Sequence, residues 1–325
     1  MSGRSPSNIV LSTSEHYPRV GSVLTWLWAQ SYLASPRDVH WLFRELRQRH
    51  PVDVSRRVRL RTGEWCIVDP FDFIGGEIAA HGYYEQETIE FFAGTLDPGM
   101  VVLDVGAHVG QYALIASTIV GAEGHVYAFE PEPRNHGRLR QNVRLNRRSN
   151  VTCLNAAVSD RATRLEFNVS RGNSGGHSLG KTKYSGGRTI TVEATTADAF
   201  VEAHALSRVD LLKADVEGAE LLVVRGAADT IARWRPLMVL ECSIHSRAFG
   251  YEADDLVRCV RSLGYEILLL EEGGLRPSRG RLPAKECFNI ACIPSERARE
   301  VLARLDERRA AQRVEPRVGG TGRAR

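Results

Sequence analysis

Residues 101–110, VVLDVGAHVG, constrain this chain more than any other stretch. Val101, Val102 and Leu103 form the short apolar run that a buried parallel strand needs. Asp104 closes that run, and Gly106-Ala107-His108-Val109-Gly110 leads into an apolar stretch of helical period over 112–120. A strand, a turn of small residues and a helix start together make a cradle in which bare backbone amides meet a ligand. Twenty-six residues after Asp104, the run His125-Val-Tyr-Ala-Phe129 ends in Glu130-Pro131. In folds of this type an acidic residue at the tip of the next strand grips the hydroxyls of a ribose. A nucleoside-bearing cofactor is therefore expected across the ends of two adjacent parallel strands.

From Val101 onward strand and helix patterns alternate, the mark of a parallel sheet with crossovers. Strands are predicted over 101–105, 125–129, 151–154, 209–214, 237–241, 265–270 and 287–293, with helices over 111–120, 133–146, 196–205, 218–232 and 254–263. A polar, turn-rich link over 273–283 joins the last two strands, so one member runs antiparallel. The fold class is α/β: a seven-stranded, mostly parallel sheet with helices on both faces. The runs 163–168 and 189–193 flank a glycine- and serine-rich insertion, 171–187, which reads as a hairpin whose loop reaches over the site.

Ahead of this domain, residues 1–95 read as an extension of helices and one hairpin. Trp26, Trp28 and Trp41 fall at helical spacing, which favours packing against a lid or dimer surface over base stacking. The hairpin joins 58–61 to 65–68 across Thr62-Gly63-Glu64. The sheet domain is expected over 96–294. Residues 295–325, with nine arginines, read as a polar helix and a solvated tail. A net charge of +4 gives no general case for nucleic acid, and the tail has no aromatic residues to stack bases. The six cysteines are scattered without a C-x-x-C pair, which suits reduced thiols and a cytoplasmic protein. No membrane span is expected, since 22–34 is too short and too polar.

Polar groups gather at the predicted strand tips: Asp104, Glu130, Asp160, Asp215 with Glu217, and Glu241 with His245. Ligands of open α/β sheets bind along that edge. Each residue also has a plainer reading. Asp104 can cap the next helix, and Glu130, Glu217 and Glu220 suit helix starts. His245 can be a satisfied loop histidine. The turn from Gly106 does not match G-x-G-x-x-G, which weakens a dinucleotide reading and favours a cofactor without phosphates, such as S-adenosylmethionine.

Several segments then follow in one order: Asp104-Val-Gly-Ala-His-Val-Gly-Gln-Tyr112, Phe129-Glu-Pro131, Asn142 with Asn146, Ala157-Val-Ser-Asp160, Leu212-Lys-Ala-Asp-Val-Glu-Gly-Ala-Glu220 and Glu241. Together they resemble the FkbM family of S-adenosylmethionine-dependent methyltransferases, from about residue 71 to 270. The lysine-to-glutamate segment is the most specific part, and His108 departs from the family's more frequent Asn. The resemblance implies a Rossmann-like class I methyltransferase fold and methyl transfer, most often to a hydroxyl oxygen of a small molecule, sugar or natural product. It places Glu85, Asp104, Gly106, Ala107, His108, Gly110, Glu130, Pro131, Ala157, Asp160 and Asp215 around the cofactor. A hydroxyl acceptor must lose its proton, and a positioned base contributes roughly 10²–10⁴-fold. Asp215 is the first candidate base, with Glu217 and His245 next. No metal ligand set is assigned, although Asp215, Glu217, Glu241 and His245 offer Mg²⁺ an alternative home. Two rival readings remain: an NAD(P)-dependent oxidoreductase on a similar sheet, and a protein that binds the cofactor without turnover. The expected partners are a hydroxylated small molecule or carbohydrate and a second copy of the chain, not nucleic acid.

Overall fold

The computed structural model describes residues 54–170, 174–180, 188–271, 274–278 and 282–314. The tryptophan-bearing N-terminal helices, the remainder of the 171–187 insertion and residues 315–325 lie outside the described residues. Strands β1 (Arg56–Arg59) and β2 (Trp65–Val68) form the expected antiparallel hairpin. Helices α1 (Phe73–His81) and α2 (Gln86–Thr95) follow. Asp72 caps α1 by accepting from the Gly75 amide at 3.3 Å, and Gly82 ends it in a left-handed conformation.

The alternation then begins with β3 (Val101–Val105), α3 (Gln111–Val120), β4 (His125–Phe129), α4 (Pro133–Leu145) and β5 (Val151–Leu154). Pro133 takes the first turn of α4, where its missing amide costs nothing. The segments on either side of the insertion form β6 (Ala157–Val158), β7 (Thr163–Asn168) and β8 (Thr189–Thr195). These make a separate three-stranded sheet in which β7 and β8 pair as an antiparallel hairpin. Helix α5 (Ala197–Ala203) leads back to β9 (Leu211–Ala214), α6 (Glu220–Arg225), α7 (Ala228–Trp234) and β10 (Leu237–Ser243). A 3₁₀ turn (Ile244–Phe249), α8 (Ala253–Ser262), β11 (Tyr265–Glu271), β12 (Gly274–Pro277), β13 (Cys287–Pro294) and α9 (Ala298–Val314) complete the described chain.

The main sheet has the order β12-β11-β13-β10-β9-β3-β4-β5. Its β10, β9, β3, β4 and β5 neighbours pair in parallel, and β13 runs antiparallel to both β10 and β11. The sheet thus has eight strands where seven were expected. Residues 274–277, read as part of a turn-rich link, add an edge strand because Leu275 registers opposite Leu270 and packs on the core. A second difference is the single helix expected over 218–232, which is broken into α6 and α7 at Gly226. A side chain there would collide with the Ser159 carbonyl, and the Gly226 carbonyl accepts from the Asp198 amide.

Alternation along the strands builds two cores, one on each sheet face. Val102, Leu211, Leu237 and Val239 join the face that also receives α2, α3 and the β1–β2 hairpin. Leu103, Val105, Leu212, Ala214, Met238 and Leu240 join the face covered by α5 to α8. Cys66 and Val68 of the hairpin, Ile78 of α1 and Phe91 and Phe92 of α2 are buried in that first core. Residues 56–95 therefore share the core of the sheet domain, although they were read as part of an extension. Val301 and Leu305 of α9 seal the same core. Among the described residues no helix is long and apolar enough to cross a membrane.

The chain leaves β3 toward β4 on one side and returns to β9 on the other. The carboxyl ends of β3 and β9 therefore flank the topological switch point, where a crevice must open.

Candidate active site

A cleft opens at this switch point. Its floor is the turn after β3, and its geometry depends on one glycine. Gly106 adopts φ 79°, and a side chain there would land on the Asp215 carbonyl oxygen. The Gly106 and Ala107 amides both donate to the Phe129 carbonyl at 2.9 Å, which stitches the turn to the tip of β4. Glu130 follows directly. Its Oε2 accepts from the His108 amide at 2.8 Å and its Oε1 from the Glu132 amide at 2.9 Å. Each carboxylate oxygen keeps a further lone pair, and Glu130 lines the cleft. Burial pushes its carboxyl up to about 8, while the two amide bonds pull the other way.

Asp104 and Lys213 are register partners across β3 and β9, on one face of the sheet. Asp104 is wholly buried beneath the turn, where the Ala113 amide of α3 favours its charged form. Lys213 Nζ lies 3.8 Å from Asp104 Oδ1, 3.3 Å from Asp215 Oδ2 and 4.8 Å above the Tyr112 ring. Burial pulls the Lys213 ammonium down, but Asp215, Asp104 and Glu85 outweigh it and hold it above its ordinary value. Burial raises Asp104 to about 6 against the pull of Lys213. Glu85, in a left-handed conformation ahead of α2, accepts from the Tyr112 hydroxyl at 2.7 Å and is raised by burial to about 7.

At the tips of β9 and β10 the lining changes from backbone to carboxylates. Asp215, Glu217 and Glu241 all line the cleft. Glu217 sits at φ 55° and receives His245 Nδ1 at 2.7 Å. Glu220 does not reach the cleft. Its Oε1 accepts from the Val216 and Gly218 amides and so holds the Asp215–Glu217 turn in shape. Glu241 Oε1 accepts from Cys287 Sγ at 2.7 Å. Burial, with Asp215 and Glu217 adding to it, pushes Glu241 well above the carboxylate range.

The insertion crosses above both halves. The Ser174 amide donates to Asp72 Oδ1 at 2.6 Å, its hydroxyl meets His108 Nε2 at 2.6 Å, and its carbonyl accepts from Asn135 at 3.2 Å. Four residues on, the Ser178 hydroxyl donates to the Glu217 carbonyl at 2.9 Å. Ser174, Gly175, His177 and Leu179 join the lining, so the loop reaches over the site as its glycine- and serine-rich composition suggested.

A family model described as the methyltransferase FkbM domain matches residues 104–267, just over half of the chain. The chain belongs to the FkbM methyltransferase family. It is 29% identical over 148 residues to the hexuronic acid methyltransferase AglP of Haloferax volcanii, covering 45% of this chain and 58% of that one. It is 30% identical over 153 residues to the 2-O-methyltransferase NoeI of Sinorhizobium fredii, covering 42% and 61%. The chain thus spans about three-fifths of the length of the curated relatives it matches. The crystal structure of methyltransferase FkbM from Methylobacillus flagellatus aligns with a TM-score of 0.40 and 15% identity, covering 63% of this chain and 50% of that one.

Of the residues that the FkbM resemblance placed around a cofactor or an acceptor, the cleft collects Gly106, His108, Glu130, Pro131, Ala157, Asp215 and Glu217. Others lie elsewhere. Ala107 is buried under the turn, and Gly110 caps α3 where a side chain would strike Leu139. Asp104 and Glu85 stand behind the lining with Lys213 and Tyr112. His245 reaches the cleft only through Glu217. Asp160 is outside the lining and pairs with Arg161 at 3.1 Å, because β6 turns to join β8 and carries the residue away. Glu217 is engaged by His245 and Glu241 by Cys287, so the four groups offered to Mg²⁺ do not converge. Among the described residues no group of three or more His, Cys, Asp or Glu is arranged to hold a metal ion. Sequence reasoning missed Asn135, Phe167 and His177, whose only signal was membership of α4, β7 and the insertion.

Proposed function

We propose that this chain binds S-adenosylmethionine and methylates a hydroxyl oxygen of a carbohydrate-like or other small acceptor. The observation that carries the cofactor part is Glu130, a buried carboxylate bonded to two turn amides and still lining the cleft beside Gly106. That arrangement fits two ribose hydroxyls, and the close backbone at Gly106 leaves room for the chain that bears the sulfur. The cofactor supplies an electrophilic methyl group. The protein's own task is to align an oxygen nucleophile and to take its proton.

Asp215 and Glu217 stand where that proton must go, at the tip of β9 facing the same space as Gly106. His245 orients Glu217 through its 2.7 Å contact and extends the path for the proton. These acid–base groups favour a hydroxyl acceptor, because a carboxylate acceptor has no proton to lose. The name of the relative NoeI, a 2-O-methyltransferase, supports the same reading. An oxidoreductase reading has less support, since the turn does not open the second glycine position that a pyrophosphate needs.

Calorimetry against S-adenosylmethionine and NAD, followed by detection of S-adenosylhomocysteine release over a panel of hydroxylated acceptors, tests the proposal. Binding of S-adenosylmethionine with acceptor-dependent release is expected. Preferential binding of NAD would sink it, and binding without release across the panel would favour a protein that only retains the cofactor.

A further inference from the structure

We propose that Glu241 holds the acceptor, and that the acceptor is a neutral or ammonium-bearing polyhydroxylated molecule with no carboxylate or phosphate beside the methylated position. The inference rests on the methyltransferase reading and adds the charge class of its substrate.

Glu241 is 6% exposed and lines the cleft. Its Oε1 is engaged by the Cys287 thiol, but its buried Oε2 has no hydrogen-bond partner among the described residues. A buried oxygen left without a donor is costly, and a ligand hydroxyl or ammonium arriving there offsets that cost. The cofactor's ribose is accounted for at Glu130, on the far side of Gly106, so Glu241 faces the space left for the acceptor.

The charges around it decide what can enter. Asp215 and Glu217 line the same end of the cleft, and among the described lining residues there is no Lys or Arg. Lys213 is 2% exposed behind the tip of β9 and faces Asp215 and Asp104. The two histidines of the lining add no positive charge, because burial pushes His108 down and His177 down to about 4. His177 Nδ1 accepts from the Ser170 amide, which leaves the proton on Nε2 as a neutral donor. Among the described residues the one cation beside these carboxyls is Lys213, buried and already shared between Asp215 and Asp104, so an anionic acceptor gains no free counter-charge there, whereas hydroxyl and ammonium groups find oxygen acceptors on three side chains.

The test is calorimetry on the full chain in two stages. S-adenosylhomocysteine is titrated first, and an absence of binding would overturn the cofactor reading and this inference together. The resulting complex is then titrated with methyl glucoside, methyl glucosaminide and methyl glucuronide. At least one of the first two should bind about tenfold or more tightly than the glucuronide. Glu241→Gln should weaken that binding by about tenfold, and Glu241→Asp, which keeps the carboxyl group, should restore part of it. Glucuronide binding as tight as the others overturns the inference. So does indifference to Glu241→Gln, or binding of none of the three to a chain that has taken up S-adenosylhomocysteine. If Glu241→Gln does not fold, the ranking of the three glycosides on the native chain decides.

Discussion

The two halves of the cleft are built from different materials. At the tips of β3 and β4 the cleft is built on main chain: two amides stitched to Phe129, a glycine with no room for a side chain, and one glutamate bonded to two further amides. At the tips of β9 and β10 it is built on side chains, three carboxylates whose positions depend on His245, Cys287, Glu220 and Lys213. The first half is local, since residues 104–110 and 129–132 shape it almost alone. The second half draws partners from 28 residues away for Glu217 and 46 for Glu241. A backbone cradle suits a ligand that never changes, and a side-chain wall suits one that differs from enzyme to enzyme.

The largest expected effect would break the first half outright. Gly106→Ala forces a side chain onto the Asp215 carbonyl in a left-handed conformation. It should abolish detectable cofactor binding and lower stability by about 3 kcal/mol, measured by urea unfolding. Next come two substitutions that should separate the halves. Asp215→Asn should lower turnover by roughly 10²–10⁴-fold with little change in cofactor affinity. Glu130→Ala strands the His108 and Glu132 amides and should weaken S-adenosylmethionine binding by about 100-fold in calorimetry. If both variants lost affinity and turnover alike, the division between the halves would not hold.

The smallest effect is a pH dependence of the ligand-free protein. Glu130 and Glu220 are each raised to about 8, and Glu85 to about 7. A carboxyl held above its unfolded value contributes stability that is full at low pH and is lost as pH rises through the folded value. The depressed histidines act in the opposite sense, and their contribution is complete by about pH 7. Between pH 7 and 8 the carboxyls alone set the sign, so the melting temperature should fall as pH rises. Glu130→Gln should flatten that slope, and a melting temperature that climbs over the same interval would contradict the burial argument.

Legibility in the sequence followed the same division. The strand–turn–helix at 101–120, the acidic tip after Phe129 and the parallel order of the central strands could be read directly, because periodicity and glycine placement are local signals. The hairpin that carries the insertion was legible too, from its two flanking runs. The added strand over 274–277 was not, since a four-residue edge strand exists only because Leu270 and the core are there to receive Leu275. Nor was the break at Gly226, which answers to the Ser159 carbonyl 67 residues earlier. Asp160 shows the converse error. It sits in a stretch that resembles the family's pattern, yet the pairing of β6 with β8 removes it from the cleft.

By itself the amino-acid order determined the sheet's central strands, the cradle after β3 and the family to which the chain belongs. Those depend on hydrophobic period and on which residues tolerate a bare, tightly turned backbone, and both are written within a few residues. Only the tertiary structure decided which carboxylates share one wall, that Lys213 lies buried behind it between Asp104 and Asp215, and that Ser174 and Ser178 pin the insertion across the opening. Such juxtapositions follow from strand register and from the packing of distant segments, and no local pattern encodes the distance between two strands that meet only when the sheet closes.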